Sequence, residues 1–282
     1  MKRTNSHPSS SWSRLLPLLA SSLIGTGELT AQTPVDSEIV ILVDGQTLSQ
    51  DRFDFILDGV AQAFEQQSFV SSVASGPIGS IAASILVLNG TGASTAIPWM
   101  ELSSASDLQT FADSVRDIPR TASFSVNYAN AITAATATIA SDVVTGTISQ
   151  ITIVEDASFI NINNTFAQVT GARDAALASG VDVINSLVYN AGDADRETAI
   201  QNFFDGAVIG GGGEATVIGG GGFLAAAPAP GSALADLVND GVAETITLPT
   251  VEANNLAAVP EPSVVLLGAL SGLTLLSRRR QK

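Results

Sequence analysis

The chain predicts an α/β fold, a doubly wound and mostly parallel sheet with helices on both faces. Three observations carry this prediction. Residues 38–43 (EIVILV), 80–88 (SIAASILVL) and 150–154 (QITIV) are continuous apolar runs bounded by polar residues, as expected of strands buried on both faces. Stretches with apolar residues at helical spacing separate them, so strands and helices alternate along the chain. A hydrophobic content of 45% in 282 residues is ample for the core such a sheet needs.

The first run ends at Asp44. A helix follows, with Ser49-Gln50-Asp51-Arg52 as its cap and Phe53, Ile56, Leu57, Val60, Ala61 and Phe64 as its apolar stripe. Residues 80–88 form the second strand, and residues 95–100 return antiparallel to it after the Gly90-Thr91-Gly92 turn. Helical patterns cover residues 105–115 and 128–140. The 150–154 strand ends at Glu155-Asp156, residues 166–178 make a helix closed by Gly180, 181–188 a strand and 195–204 a helix. Val208-Ile209 followed by four glycines recurs nine residues later as Val217-Ile218 followed by four more. No Lys-Ser or Lys-Thr follows, as a phosphate-cradling loop requires, so the repeat reads as two glycine turns flanking an edge strand at 214–218. An Ala/Pro-rich bend, a short helix at 233–238 and a polar tether close the domain.

Charge is distributed unevenly. Basic residues crowd both ends, and the body holds five arginines (Arg52, Arg116, Arg120, Arg173 and Arg196) against 26 acidic residues, a formal charge of −21. Nucleic acid is excluded as a partner, because a phosphate backbone needs clustered Lys and Arg. Most of these carboxylates serve solubility.

The two ends read as export signals. Residues 1–31 have a basic, Ser-rich start, an apolar core at 15–24 and a polar stretch, which is the layout of a secretory signal peptide cleaved after Ala31 or nearer Gly27. At the other end, Pro260-Glu261-Pro262 precedes an apolar run at 264–276 and then Arg278-Arg279-Arg280. This layout resembles the PEP-CTERM sorting signal. The resemblance implies export by the general secretion machinery, transient anchoring in the inner membrane, and removal of the tail by exosortase, a membrane peptidase. A helix of that length rises only about 20 Å against a hydrocarbon core of roughly 30 Å, so it suits a temporary anchor. The arginines would stay cytoplasmic and leave the Pro-Glu-Pro outside.

Between the ends, EIVILVD, DRFDFILDGVAQAF, GPIGSIAASILVLNG with IPWMEL, GARDAALASGVDVINSLVY and FFDGAVIGGGG together resemble a family of secreted bacterial proteins of unknown function. The domain of that family is like von Willebrand factor type A. The expected organisation is a signal peptide at 1–31, the domain at 32–240, a linker at 241–258 and the sorting signal at 259–282.

Type A domains often hold a divalent cation through an Asp-x-Ser-x-Ser motif after the first strand, a Thr from a later loop and an Asp after the fourth strand. Hydroxyls and carboxylates are the oxygen ligands a hard cation prefers. By this resemblance Asp44 matches the first Asp and Asp156 the last, and the implied cation is Mg²⁺ or Ca²⁺. The two serines become Gln46 and Leu48, and the Thr position falls near Val126; Thr47, Ser49, Ser125 and Ser158 are the nearby hydroxyls. Asp44 and Asp156 are read either as a weak cation site or as carboxylates that cap helices and accept loop hydrogen bonds.

Catalysis is disfavoured. The chain has no cysteine, and its one histidine, His7, lies in the leader, so nucleophilic triads and ordinary zinc sites are excluded from the body. A carboxylate pair such as Glu155 and Asp156 arises readily by chance in so acidic a chain, and only Trp99, Tyr128 and Tyr189 supply Trp or Tyr for a sugar cleft. The leading expectation is an exported, non-catalytic interaction domain whose partners are exopolysaccharide or envelope proteins. A cation-dependent adhesion module and a carboxylate-based hydrolase are the alternatives.

Overall fold

The computed structural model describes residues 32–45, 49–120, 125–141, 143–157, 165–189, 192, 194–218, 235–236, 239–243 and 245–246. The signal peptide, the sorting motif residues Pro260, Glu261, Pro262, Arg278, Arg279 and Arg280, and the 264–276 helix therefore lie outside the described residues. No helix among the described residues is long and apolar enough to cross a membrane.

Six strands form one sheet in the order β3-β2-β1-β4-β5-β6. They are β1 (Thr33–Asp44), β2 (Ile81–Asn89), β3 (Gly92–Leu102), β4 (Val144–Asp156), β5 (Val183–Tyr189) and β6 (Ala215–Ile218). Only β3 is antiparallel to its neighbour; β1 is flanked by β2 and β4, both parallel to it. This is the doubly wound, von Willebrand A-like α/β architecture expected from the alternation of apolar runs and helical patterns. The central run of β1 is buried on both faces because each face has its own layer of helices.

Alternate residues of each strand feed two cores. On one face Ile39, Ile41 and Val43 pack under α1 (Gln50–Glu65), α2 (Gln67–Ser75) and α3 (Ala105–Arg116). On the other, Val40 and Leu42 pack under α4 (Tyr128–Ile139), α5 (Phe166–Ala178) and α6 (Ala194–Phe203). The stripe of α1 read from the sequence is buried throughout, each large side chain contributing about 1.5–3 kcal/mol. Phe64, Phe69 and Phe111 meet across α1, α2 and α3, with ring centroids 5.3 and 4.7 Å from Phe64.

Three features depart from the sequence reading. Helix α2, to which the sequence reading gave no element, follows α1 after an extended Gln66. A π-helical turn, Phe204–Val208, prolongs α6 and buries Phe204, Ala207 and Val208. Val242, Ala243 and Ile246, assigned to the linker, are instead buried in the α1 core, and Gln150 Nε2 donates to the Thr245 carbonyl at 3.2 Å. The edge strand expected at 214–218 is present as β6. The turn before it needs glycine, since Gly211 has φ of +67° and a Cβ there would lie 1.7 Å from the Asp182 carbonyl oxygen.

Candidate functional site

In an open α/β sheet the crevice lies at the carboxyl ends of the strands, where the strand order reverses direction. Here the connection from β1 leads to β2 on one side, while β4 lies on the other, so the crevice falls between the ends of β1 and β4. Asp44 is the last residue of β1 and Asp156 the last of β4. The structure brings them into contact: the Asp156 backbone N–H donates to Asp44 Oδ2 at 3.3 Å. Both are almost wholly buried, at 1% and 2% exposure.

A third partner occupies the crevice. The Arg52 guanidinium is fully buried and forms an ion pair with the Asp156 carboxylate. The first turn of α1 aims it there. Ser49 is the N-cap and accepts a hydrogen bond from the Arg52 backbone N–H at 3.4 Å, which fixes the start of the helix. Arg52 falls on the same stripe as Ile56 and Val60, so its side chain points at the sheet. Tyr189, the last residue of β5, stands beside this pair and packs edge-on against Phe55, with centroids 5.5 Å apart. Burial and the Asp156 charge push the Tyr189 phenol well above its ordinary range, although Arg52 draws it down.

Glu155 belongs to the opposite face. Successive residues of a strand alternate sides, so Asp156 meets α1 while Glu155 meets Tyr128 at the start of α4. Burial above all, then the charges of Asp44 and Asp156, hold the Glu155 carboxyl well above the usual carboxylate range. Burial and Glu155 likewise raise the Tyr128 phenol. Glu155 and Asp156 therefore do not share a cleft as a general acid and base would. From α6, Arg196 Nη2 donates to the Ala157 carbonyl at 2.6 Å and ties down the chain just after β4.

The donors present do not fit a divalent cation. Asp156, which would hold the ion, is engaged by a guanidinium. Val126, near the family's Thr position, is a fully buried apolar side chain, and Ser49 caps α1. Among the described residues no group of three His, Cys, Asp or Glu side chains is arranged to hold a metal ion. Gln46, Thr47, Leu48 and Ser158 lie outside the described residues, and Ser125 precedes α4. Sequence reasoning treated Arg52 only as part of a cap. The signal that marks it is its place on the buried stripe, four residues before Ile56.

Among solved structures, the chain is similar to the pilus adhesin SpaC from Lactobacillus rhamnosus GG. Identity is 12%, with 79% of this chain and 31% of that one covered and a TM-score of 0.52. It is also similar to proximal thread matrix protein 1 from the mussel byssus, at 11% identity, 78% and 49% coverage and a TM-score of 0.50. The VWA domain of SpRpn10 matches at 15% identity, 73% and 95% coverage and a TM-score of 0.48. The chain thus spans about a third of the adhesin and about half of the byssus protein, and at these identities the likeness to both is one of fold. A search of the curated proteins found no match. Residues 34–220 match the family described as "Protein of unknown function (DUF1194)".

Proposed function

Because the chain belongs to the family of unknown function DUF1194, whose description assigns no activity, we propose a function from the sheet edge itself. The domain is an exported, non-catalytic interaction module of the adhesion type. It binds envelope or matrix material, with exopolysaccharide and envelope proteins as partner classes, and an exosortase-type peptidase processes its C-terminal tail.

One observation carries this reading. The carboxylates at the carboxyl end of the sheet, where an α/β enzyme would present its reacting groups, are buried, and two of them are engaged with the fold's own groups: Asp156 with Arg52 and Asp44 with the Asp156 backbone N–H, while Glu155 is buried on the opposite face beside Tyr128. General acid or base work needs such a group within reach of a substrate. Further support comes from the fold shared with a pilus adhesin and a byssus thread matrix protein, and from the signal-like ends of the chain.

The test is retention of the purified chain on exopolysaccharide and envelope fractions from its own producer. Saturable retention that competing soluble polysaccharide or envelope protein abolishes is the expected result. Passage through both fractions unretained would overturn the proposal.

A further inference from the structure

We infer that Arg52 is a built-in cation: its guanidinium supplies, from within the chain, the positive charge that a divalent ion supplies at the corresponding crevice of a type A domain. The domain is therefore indifferent to divalent cations. This goes beyond the proposed interaction role and does not depend on it.

The Arg52 guanidinium is fully buried at the β1/β4 switch point, paired with the carboxylate that ends β4, while the carboxylate that ends β1 is bonded to the backbone of the same residue. The body has only five arginines and no lysine against 26 acidic residues, and one of those five is spent at a position without solvent exposure. A charge is rarely buried unless it has a partner, because desolvation is costly. The buried Asp156 carboxylate needs a counter-charge, and a guanidinium answers that need with several N–H donors in a rigid plane.

A second cation in the same crevice would meet Arg52 by direct repulsion, less screened among buried groups than in water. The hydroxyl ligands that would favour an ion are replaced as well, with Val126 buried near the Thr position. A tethered guanidinium needs no ion from the medium. It also leaves no coordination position open, so a partner's acidic group cannot bind here through a metal.

The experiment follows melting of the full chain in chelator and in millimolar Mg²⁺, Ca²⁺ or Mn²⁺. Wild type is expected to melt at one temperature in all four conditions. A rise of about 2 °C or more with any cation, the size expected of specific binding, overturns the inference. Arg52→Met should melt lower in chelator and recover part of the loss with at least one cation, since removing the guanidinium leaves the buried Asp156 carboxylate without its counter-charge. A folded Arg52→Met that ignores all three cations overturns the equivalence of arginine and ion. Should Arg52→Met not fold, Arg52→Met with Asp156→Asn removes charge and counter-charge together. That pair should restore folding and ignore cations; a double variant that does not fold refutes the pairing.

Discussion

At the scale of single residues, the sheet edge is held by a few buried charges whose loss has a definite sign. Asp156→Ala leaves Arg52 as a buried cation without its carboxylate, and removal of one partner of a buried pair costs about 3–5 kcal/mol. Chemical denaturation measures this directly, and a cost below about 1 kcal/mol, typical of surface pairs, would show the bridge to be solvated. Glu155 gives a pH dependence. Its folded carboxyl titrates well above the ordinary value, so between those two values the folded chain keeps a proton that the unfolded chain releases. Stability from this group is therefore present at low pH and declines as pH rises through that window. Glu155→Gln should gain on wild type in melting temperature as pH is raised from about 5 to about 8; parallel curves would count against the assignment. Asp44 and Asp156 were singled out by the resemblance to type A domains, and each follows a run read as a buried strand. Arg52 was passed over because an arginine in the first turn of a helix ordinarily lies in solvent, although its spacing four residues before Ile56 places it on the apolar stripe.

At the scale of elements, pattern succeeded where burial is one-sided or complete. The α5 helix has the same limits in structure and sequence, with Thr165 and Gln168 closing a capping box at its start. Only the second half of β4 was legible. Its first half, VTGTIS, alternates exposed positions with ones that are mostly half-buried and contains glycine, yet it pairs with the start of β1 from Thr33 onward. Helix α2 was not read from the sequence, since no glycine or proline at Gln66 marks where a second helix begins. The glycine-rich turn before β6 was recognised, and its stringency is now explained. A Cβ at Gly211 or Gly213 would lie 1.7 or 2.1 Å from a carbonyl oxygen of residues 182 or 184. Gly213→Ala should cost about 1–3 kcal/mol and strip hydrogen-exchange protection from β6. Gly171 is the contrasting case, lying within α5 with nothing within 4 Å of its Cβ position. Gly171→Ala should stabilise by about 0.5–1 kcal/mol in the same denaturation assay.

At the scale of the whole molecule, the unit that folds extends further than composition suggested. A polar tether appeared to begin at 241 because GVAETIT alternates small, acidic and apolar residues without a clean period. In the structure Val242 and Ile246 are buried against the α1 core, and a Cβ at Gly241 would press on Leu187 at 2.5 Å. A chain ending after Asp240 should therefore unfold at lower denaturant than one ending after Thr250, each buried aliphatic side chain contributing about 1.5–3 kcal/mol. Equal midpoints would place the end of the folded unit at 240 instead. The acidic surface and the class of fold were readable from residue counts and run lengths alone; what covers each face was not, because covering is a property of distant pairs.

The position of β1 has a mechanical consequence. Tension applied ahead of Thr33 draws this strand along its own axis between two parallel neighbours, paired from Ser37 to Asp44 on one side and from Thr33 to Val43 on the other. The rungs of both ladders are then loaded in shear and must give way together. At the far edge β6 has four rungs on one side only and no second ladder to share a load. In single-molecule pulling from the N-terminal side, rupture should come as one high-force event governed by β1.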